Sequence, residues 1–172
     1  MFEKTLHLIV GSTGAGKTTF ARKLSKSVSA VVFSIDDWMK ALYWQDMPSN
    51  PDMAWFSENQ KWYVDRIARC EAMIWRQVQA LTQSQSTCIL DLGFSTREHR
   101  ARFIALAAQE GLEVEIHYLD VSPSLRWQRV LERQKLQTDT YVMDVDQGMF
   151  DYMESIFEEP VAGEANRLHK VS

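Results

Sequence analysis

The densest chemistry in this sequence lies at residues 11–18, Gly11-Ser12-Thr13-Gly14-Ala15-Gly16-Lys17-Thr18. The spacing is G-x-x-x-x-G-K-[ST], the Walker A pattern of a phosphate-binding loop. Its glycines let successive backbone N–H groups turn toward one centre, which suits a polyphosphate. The apolar run Leu6-His7-Leu8-Ile9-Val10 before it has strand length, and Thr18 to Leu24 reads as the first turns of a helix. That helix N-terminus adds a partial positive charge. The pattern sends Lys17 to the β- and γ-phosphates and gives the Thr18 hydroxyl to Mg²⁺. Gly11, Ser12, Thr13, Gly14, Ala15, Gly16, Lys17, Thr18 and Thr19 are the expected nucleotide contacts, with ATP and Mg²⁺ as the expected cofactors.

Carboxylates at strand ends come next. Asp36 and Asp37 follow the buried run Ala30–Ile35. One would orient or deprotonate a hydroxyl that attacks the γ-phosphate, and the other would cap the next helix. Asp36 is the expected catalytic group. Asp91 closes Thr87-Cys88-Ile89-Leu90, the apolar-apolar-Asp shape of a Walker B carboxylate. It would hold Mg²⁺ through water or bond Thr18; binding backbone amides is its structural alternative.

Arg126, Arg129 and Arg133 stand at i, i+3 and i+7 and therefore share a helix face, with Trp127, Val130 and Leu131 turned toward the core. Such a face suits a clamp on transferred phosphate, or else a solvated basic surface. Arg129 and Arg133 are the expected clamp, with Arg126 over the adenine. Arg97 or Arg100, in the opening turn of a helix, would meet an anionic substrate group. The aromatic stretch 38–62 would wall a substrate pocket or pack a helical cap onto the sheet. The four histidines, at 7, 99, 117 and 169, show no ligand spacing and read as structural.

The elements that must hold these groups alternate. Helices are expected at about 17–28, 57–83, 97–110, 123–136 and 146–158, with strands at 30–35, 87–92 and 114–121 and a short fifth strand at 167–171. Pro48 and Pro51 leave 38–56 irregular. Thr96 is the expected N-cap and Gly111 the stop of the third helix; Pro123 opens the fourth. The alternation predicts an α/β fold with a parallel sheet and helices on both faces. Right-handed crossovers then gather the loop, Asp36, Asp91 and Asp120 on one sheet edge, where ligands bind. The 172 residues are expected to form one domain, with 126–145 as a helical lid.

A net charge of −4 argues against a broad nucleic-acid footprint. Cys70 and Cys88 are far apart in apolar segments, as buried free thiols of a reducing compartment would be. The N-terminus is not a signal peptide and no apolar run spans a membrane, so the expected location is cytoplasmic and the expected state a monomer or homodimer.

Taken together, GSTGAGKTT, Ser34-Ile35-Asp36-Asp37, Leu90-Asp91-Leu92-Gly93 and Arg129-x-x-x-Arg133 resemble the small P-loop kinases grouped as AAA-type ATPases. That group includes chloramphenicol phosphotransferase, zeta toxins, gluconate and shikimate kinases and the kinase domain of polynucleotide kinase. The resemblance covers about residues 5–136. It implies a P-loop NTPase fold with a five-stranded sheet of order 2-3-1-4-5. It also implies that Asp36 acts on the attacking hydroxyl and that Arg129 and Arg133 hold the ATP phosphates. Met39 stands where polynucleotide kinases usually carry an arginine. The Asp-x-Asp pair of zeta toxins and the His-Phe lid motif of gluconate kinases are absent; the first departure leaves room for Asp37.

The expected activity is ATP- and Mg²⁺-dependent transfer of the γ-phosphate to a hydroxyl of a small-molecule acceptor. The alternatives are a polynucleotide 5′-end kinase and a regulatory P-loop nucleotide switch. The guanine-specifying Asn-Lys-x-Asp motif is missing, which argues against a GTPase.

Overall fold

The computed structural model describes residues 4–172. In chain order the elements are β1 (Thr5–Val10), α1 (Lys17–Val28), β2 (Val31–Ser34), α2 (Ile35–Tyr43), α3 (Met53–Glu58), α4 (Gln60–Gln83), β3 (Cys88–Asp91), α5 (Arg97–Gln109), β4 (Glu113–Leu119), α6 (Pro123–Leu136), α7 (Gln147–Ile156) and β5 (Arg167–Val171). A 3₁₀ turn, Trp44–Asp46, follows α2. The five strands form one parallel sheet in the order β2-β3-β1-β4-β5. Among the described residues no helix is long and apolar enough to cross a membrane.

β1 is the centre of this sheet and is buried on both faces. Leu8 pairs in register with Leu90 of β3 and Ile116 of β4. Leu6, Leu8 and Val10 face the larger core, with Phe33, Ile74, Val78, Leu90, Phe103 and Ile116. Ile9 faces α1, with Ala15, Ala21, Ile89 and Leu119. A strand buried on both sides cannot slip by one residue without exchanging its faces, so the loop at its C-terminal end is held in place. The stripe along α4 packs as its spacing predicts: Cys70, Ile74 and Val78 are buried, and Tyr63, Ile67 and Leu81 pack against the same core. Both cysteines are free and buried.

Three local expectations are corrected. The segment 38–56 is not irregular. α2 starts directly after β2, because the Ser34 hydroxyl accepts the Asp37 N–H (3.3 Å) and caps it. The prolines break only the chain around residues 47–51, after which Asp52 caps α3 through the Trp55 N–H (2.8 Å). The long helix is interrupted at Asn59, so α3 and α4 are separate. Leu131 does not face the core and is exposed. Thr96, Gly111 and Pro123 act as expected: Thr96 accepts from the His99 N–H, Gly111 follows α5 at φ +66°, and Pro123 opens α6.

The C-terminal strand is reached through a buried charge. Arg100 is wholly enclosed and donates to both Glu164 carboxylate oxygens (2.7 and 3.0 Å) and to the carbonyls of Phe94 and Glu158. Arg97 also reaches Glu164, at 3.3 Å. Arg100 therefore holds the segment leading into β5 and does not meet an anionic substrate, whereas Arg97 is exposed and shares Glu164 with it. Breaking such a pair by removing one partner leaves an uncompensated charge, which is why the segment is firmly held.

On the α1 face of the sheet, His7 and His117 lie 3.0 Å apart under the Phe20 ring, with Glu115 and His169 beside them. Burial lowers both buried imidazoles, His117 from 6.5 to about 4, while Glu115 works in the opposite direction. The unfolded chain takes up these protons more readily. The stability contribution is therefore complete above pH 6.5 and lost as the pH falls from there toward about 4. We expect the thermal midpoint to fall across that window, and to fall less steeply in a His117→Gln variant, as followed by circular dichroism.

Candidate nucleotide and phosphoryl-transfer site

The loop between β1 and α1 takes a shape that only glycine allows at two points. Gly14 has φ +80° and Gly16, the N-cap of α1, has φ +93°. A side-chain carbon on Gly14 would lie 2.4 Å from the Arg126 carbonyl oxygen, so the loop is pressed against α6. The Ala15 N–H closes a turn on the Ser12 carbonyl (3.1 Å).

Arg126 fastens this contact. It is buried, donates to the Val121 and Thr13 carbonyls (2.8 and 3.2 Å) and pairs with Glu154 of α7 (2.5 Å). The Ser12 hydroxyl reaches the same carboxylate oxygen at 3.3 Å. Arg126 therefore lies under the loop and does not share an exposed face with Arg129 and Arg133. Its guanidinium is committed to protein groups, which corrects the expectation that it covers the adenine. Arg129 is exposed and donates to the Ala15 carbonyl (3.2 Å).

Three charges converge beyond the loop. Lys17 rests on the Ser12 carbonyl at 3.4 Å. Burial pushes its ammonium below the usual lysine range, and Asp91 and Asp36 oppose that. Asp36, in the first turn of α2, is raised by desolvation within its cleft although its outer surface still meets solvent. Lys17 and Arg133 counter the rise. Arg133 is half-buried, and its Nε–H is enclosed without a hydrogen-bond partner among the described residues. An enclosed donor of this kind costs free energy unless an acceptor arrives, so it fits an anion such as a phosphoryl oxygen.

Asp91 is buried at the end of β3 and accepts from the Thr18 hydroxyl at 2.9 Å. Burial raises its carboxyl, against the pull of Lys17 and Thr18. The pair offers hard oxygen donors beside the loop, the chemistry that Mg²⁺ prefers.

A small polar cavity connects these parts. Thr18, Arg22, Ser34, Asp36, Asp37, Lys40 and residues 139–142 line it. Arg22 of α1 pairs with Asp139 across it at 2.5 Å, in the loop joining α6 to α7. A larger depression, lined by Gln128, Leu131, Glu132, Lys135 and Leu136, lies on the outer side of α6 and is lined by none of these groups.

Four participants were not legible as such. Tyr63 senses Asp36 and is pushed up to about 12 by burial and that charge, yet the sequence shows it only as part of an apolar stripe. Asp139 and Glu154 are acidic residues of no motif, and Arg22 is one polar residue of an amphipathic helix. The aromatic stretch acts mainly as packing. Trp55 and Trp62 meet edge to face at 5.8 Å, and Phe56 and Tyr63 at 5.1 Å. Met53 and Phe56 lean on the cluster of Val130, Val145, Met149 and Phe150.

The family model described as the AAA domain matches residues 6–160. The chain belongs to the AAA domain family. No curated protein matches the sequence. Among solved structures, this AAA-domain chain is similar to a protein of Chloroflexus aurantiacus taken to be a kinase, at 16% identity over 99% of this chain and 86% of that one, with a TM-score of 0.73. It is similar to Kti12 of Chaetomium thermophilum in complex with ADP-AlF3, at 14% identity over 97% and 88% of the two chains, with a TM-score of 0.68. A gluconokinase from Sinorhizobium meliloti gives 15% identity over 99% and 82%, with a TM-score of 0.60. The fold is that of the P-loop kinases, and the family is a nucleotide-binding one.

Because Gly14 meets the Arg126 carbonyl in a left-handed conformation, Gly14→Ala should force the loop off α6. We expect weakened binding of a fluorescent ATP analogue by more than about 10-fold, roughly 1.4 kcal/mol, with the fold retained by circular dichroism.

Proposed function

We propose that this chain is an ATP- and Mg²⁺-dependent kinase that transfers the γ-phosphoryl group to a hydroxyl of a small molecule. The observation that carries the reading is the convergence of Asp36 with Lys17 and Arg133 beyond the loop. Gly11 to Thr19 would hold the nucleotide, with Lys17 on its terminal phosphates and Arg126 keeping the loop in shape from beneath. Thr18 and Asp91 would hold Mg²⁺, which when bound neutralises charge on the β- and γ-oxygens. Asp36 accepts the hydroxyl proton as the acceptor oxygen bonds to the γ-phosphorus and the bond to the ADP oxygen breaks. Arg133 offers its unpartnered N–H to the transferred group, and Arg129 closes the loop side. We take residues 126–145 as the lid of a domain spanning 1–172, with the Arg22–Asp139 pair fastening it.

Asp37 is the weaker candidate for the base. Asp36 is the carboxylate to which Tyr63 and Arg133 respond, and Lys17 responds to it after Asp91. Met39 is buried against the core beside Cys70. That position therefore offers no cation to a nucleic-acid backbone, which together with the net acidity supports a small acceptor. The polynucleotide 5′-end kinase and the nucleotide switch stand as outcomes of the test.

The test supplies γ-labelled ATP and Mg²⁺ with a small-molecule filtrate of cell extract in one reaction and a 5′-hydroxyl oligonucleotide in another. The expected result is a labelled metabolite heavier than its precursor by one phosphoryl group. Label on the oligonucleotide alone, or only free phosphate in both reactions, would overturn the proposal.

A further inference from the structure

Three of the four histidines, separated by up to 162 positions in the chain, come together on one face of the sheet. His7 of β1 pairs in register with Glu115 of β4, and His117 of β4 with His169 of β5. Glu115 and His117 are two residues apart on one strand and so share the α1 face. The His7 Nδ1 atom lies 3.0 Å from His117 Nε2 and 3.7 Å from Glu115 Oε2. One ligand atom from each of the three residues lies within 4.8 Å of the other two.

From this geometry we infer a binding site for one divalent transition-metal ion of the Zn²⁺ type, formed by His7 Nδ1, His117 Nε2 and a Glu115 carboxylate oxygen.

The spacing fits. Ligand bonds of about 2.0–2.1 Å in a tetrahedron place donor atoms about 3.3 Å apart, and the two measured separations bracket that value. The donor chemistry fits as well, since two imidazoles and one carboxylate suit Zn²⁺ and its neighbours rather than Mg²⁺ or Ca²⁺. A purely structural reading is less complete. His7 Nδ1 is the shared vertex of both contacts and can carry only one proton, so it cannot donate to His117 and Glu115 at once in two good hydrogen bonds. A cation satisfies all three lone pairs together.

The surroundings also favour a metal. Glu115 is oriented from behind by His169 Nε2, 3.0 Å from Oε2, and by Arg167, 3.2 Å from Oε1. An outer partner of this kind fixes a ligating carboxylate. Entry is from the Glu115 side: its side chain and that of His169 reach solvent, whereas His7 and His117 are nearly enclosed. The ion would join β1 to β4 beneath α1 and, through His169, bind the last strand to the sheet. None of its ligands belongs to the proposed phosphoryl-transfer site, so it stands whether or not that reading does.

The test is titration of the full chain with Co²⁺ as a spectroscopic stand-in for Zn²⁺, in buffer without nucleotide. The expected result is one Co²⁺ per chain with visible ligand-field bands, displaced by one equivalent of Zn²⁺. Asp91→Asn should keep these bands. Glu115→Gln is nearly isosteric and partly exposed, and should weaken binding beyond the roughly 10–100-fold that an outer partner costs, while its affinity for the fluorescent ATP analogue is unchanged. His117→Gln should abolish the bands, and should it fail to fold, Glu115→Gln decides alone. No visible bands in the parent, or bands of unchanged affinity in Glu115→Gln, would overturn the inference.

Discussion

The close approach of Gly14 to the Arg126 carbonyl is the constraint on which the rest depends. A phosphate-binding loop is a string of backbone donors with little packing of its own. Here it is pinned from below by a buried guanidinium that bonds the Thr13 carbonyl and pairs with Glu154, so α6 and α7 are fastened to the loop by the same charge. The arrangement demands glycine at position 14, an arginine in the first turn of α6 and an acid near the end of α7. A displacement of α6 would therefore be felt at the loop.

Around that fixed loop the charges are balanced rather than neutral. Burial presses Lys17, Asp36 and Asp91 each toward its uncharged form; Lys17 opposes this at both carboxylates and they oppose it at Lys17, while Asp36 adds to the rise at Asp91. The cleft brings together two carboxylates, one ammonium and an Arg133 N–H without a partner among the described residues. Such strain is held by the sheet, whose central strand is buried on both faces.

The fold was legible because its signals are local. The β1 run, the Walker A spacing, Thr96, Pro123 and the short strand at 167–171 each express a backbone preference within a few residues. What stayed hidden depends on distant partners. The i, i+3, i+7 spacing of Arg126, Arg129 and Arg133 was visible, but the pocket that swallows Arg126 is made by Thr13, Val121 and Glu154. Likewise Arg100 looked like a free cation at a helix start until Glu164 closed over it. α2 is hidden because Ser34 both ends a buried strand and caps the helix, while the prolines at 48 and 51 break the chain only beyond it. The histidine cluster spans β1, β4 and β5, and its members show no spacing until the sheet sets their register.

The central claim is a division of labour, with Lys17 serving the nucleotide and Asp36 the acceptor. It is tested most directly by measuring ATP affinity and acceptor-dependent ADP release in Lys17→Met and Asp36→Asn. The account predicts that Lys17→Met loses affinity, whereas Asp36→Asn keeps affinity within about 3-fold, under 1 kcal/mol, and loses ADP release. Asp36→Asn that releases ADP like the parent, or that no longer binds ATP while still folded, would contradict it.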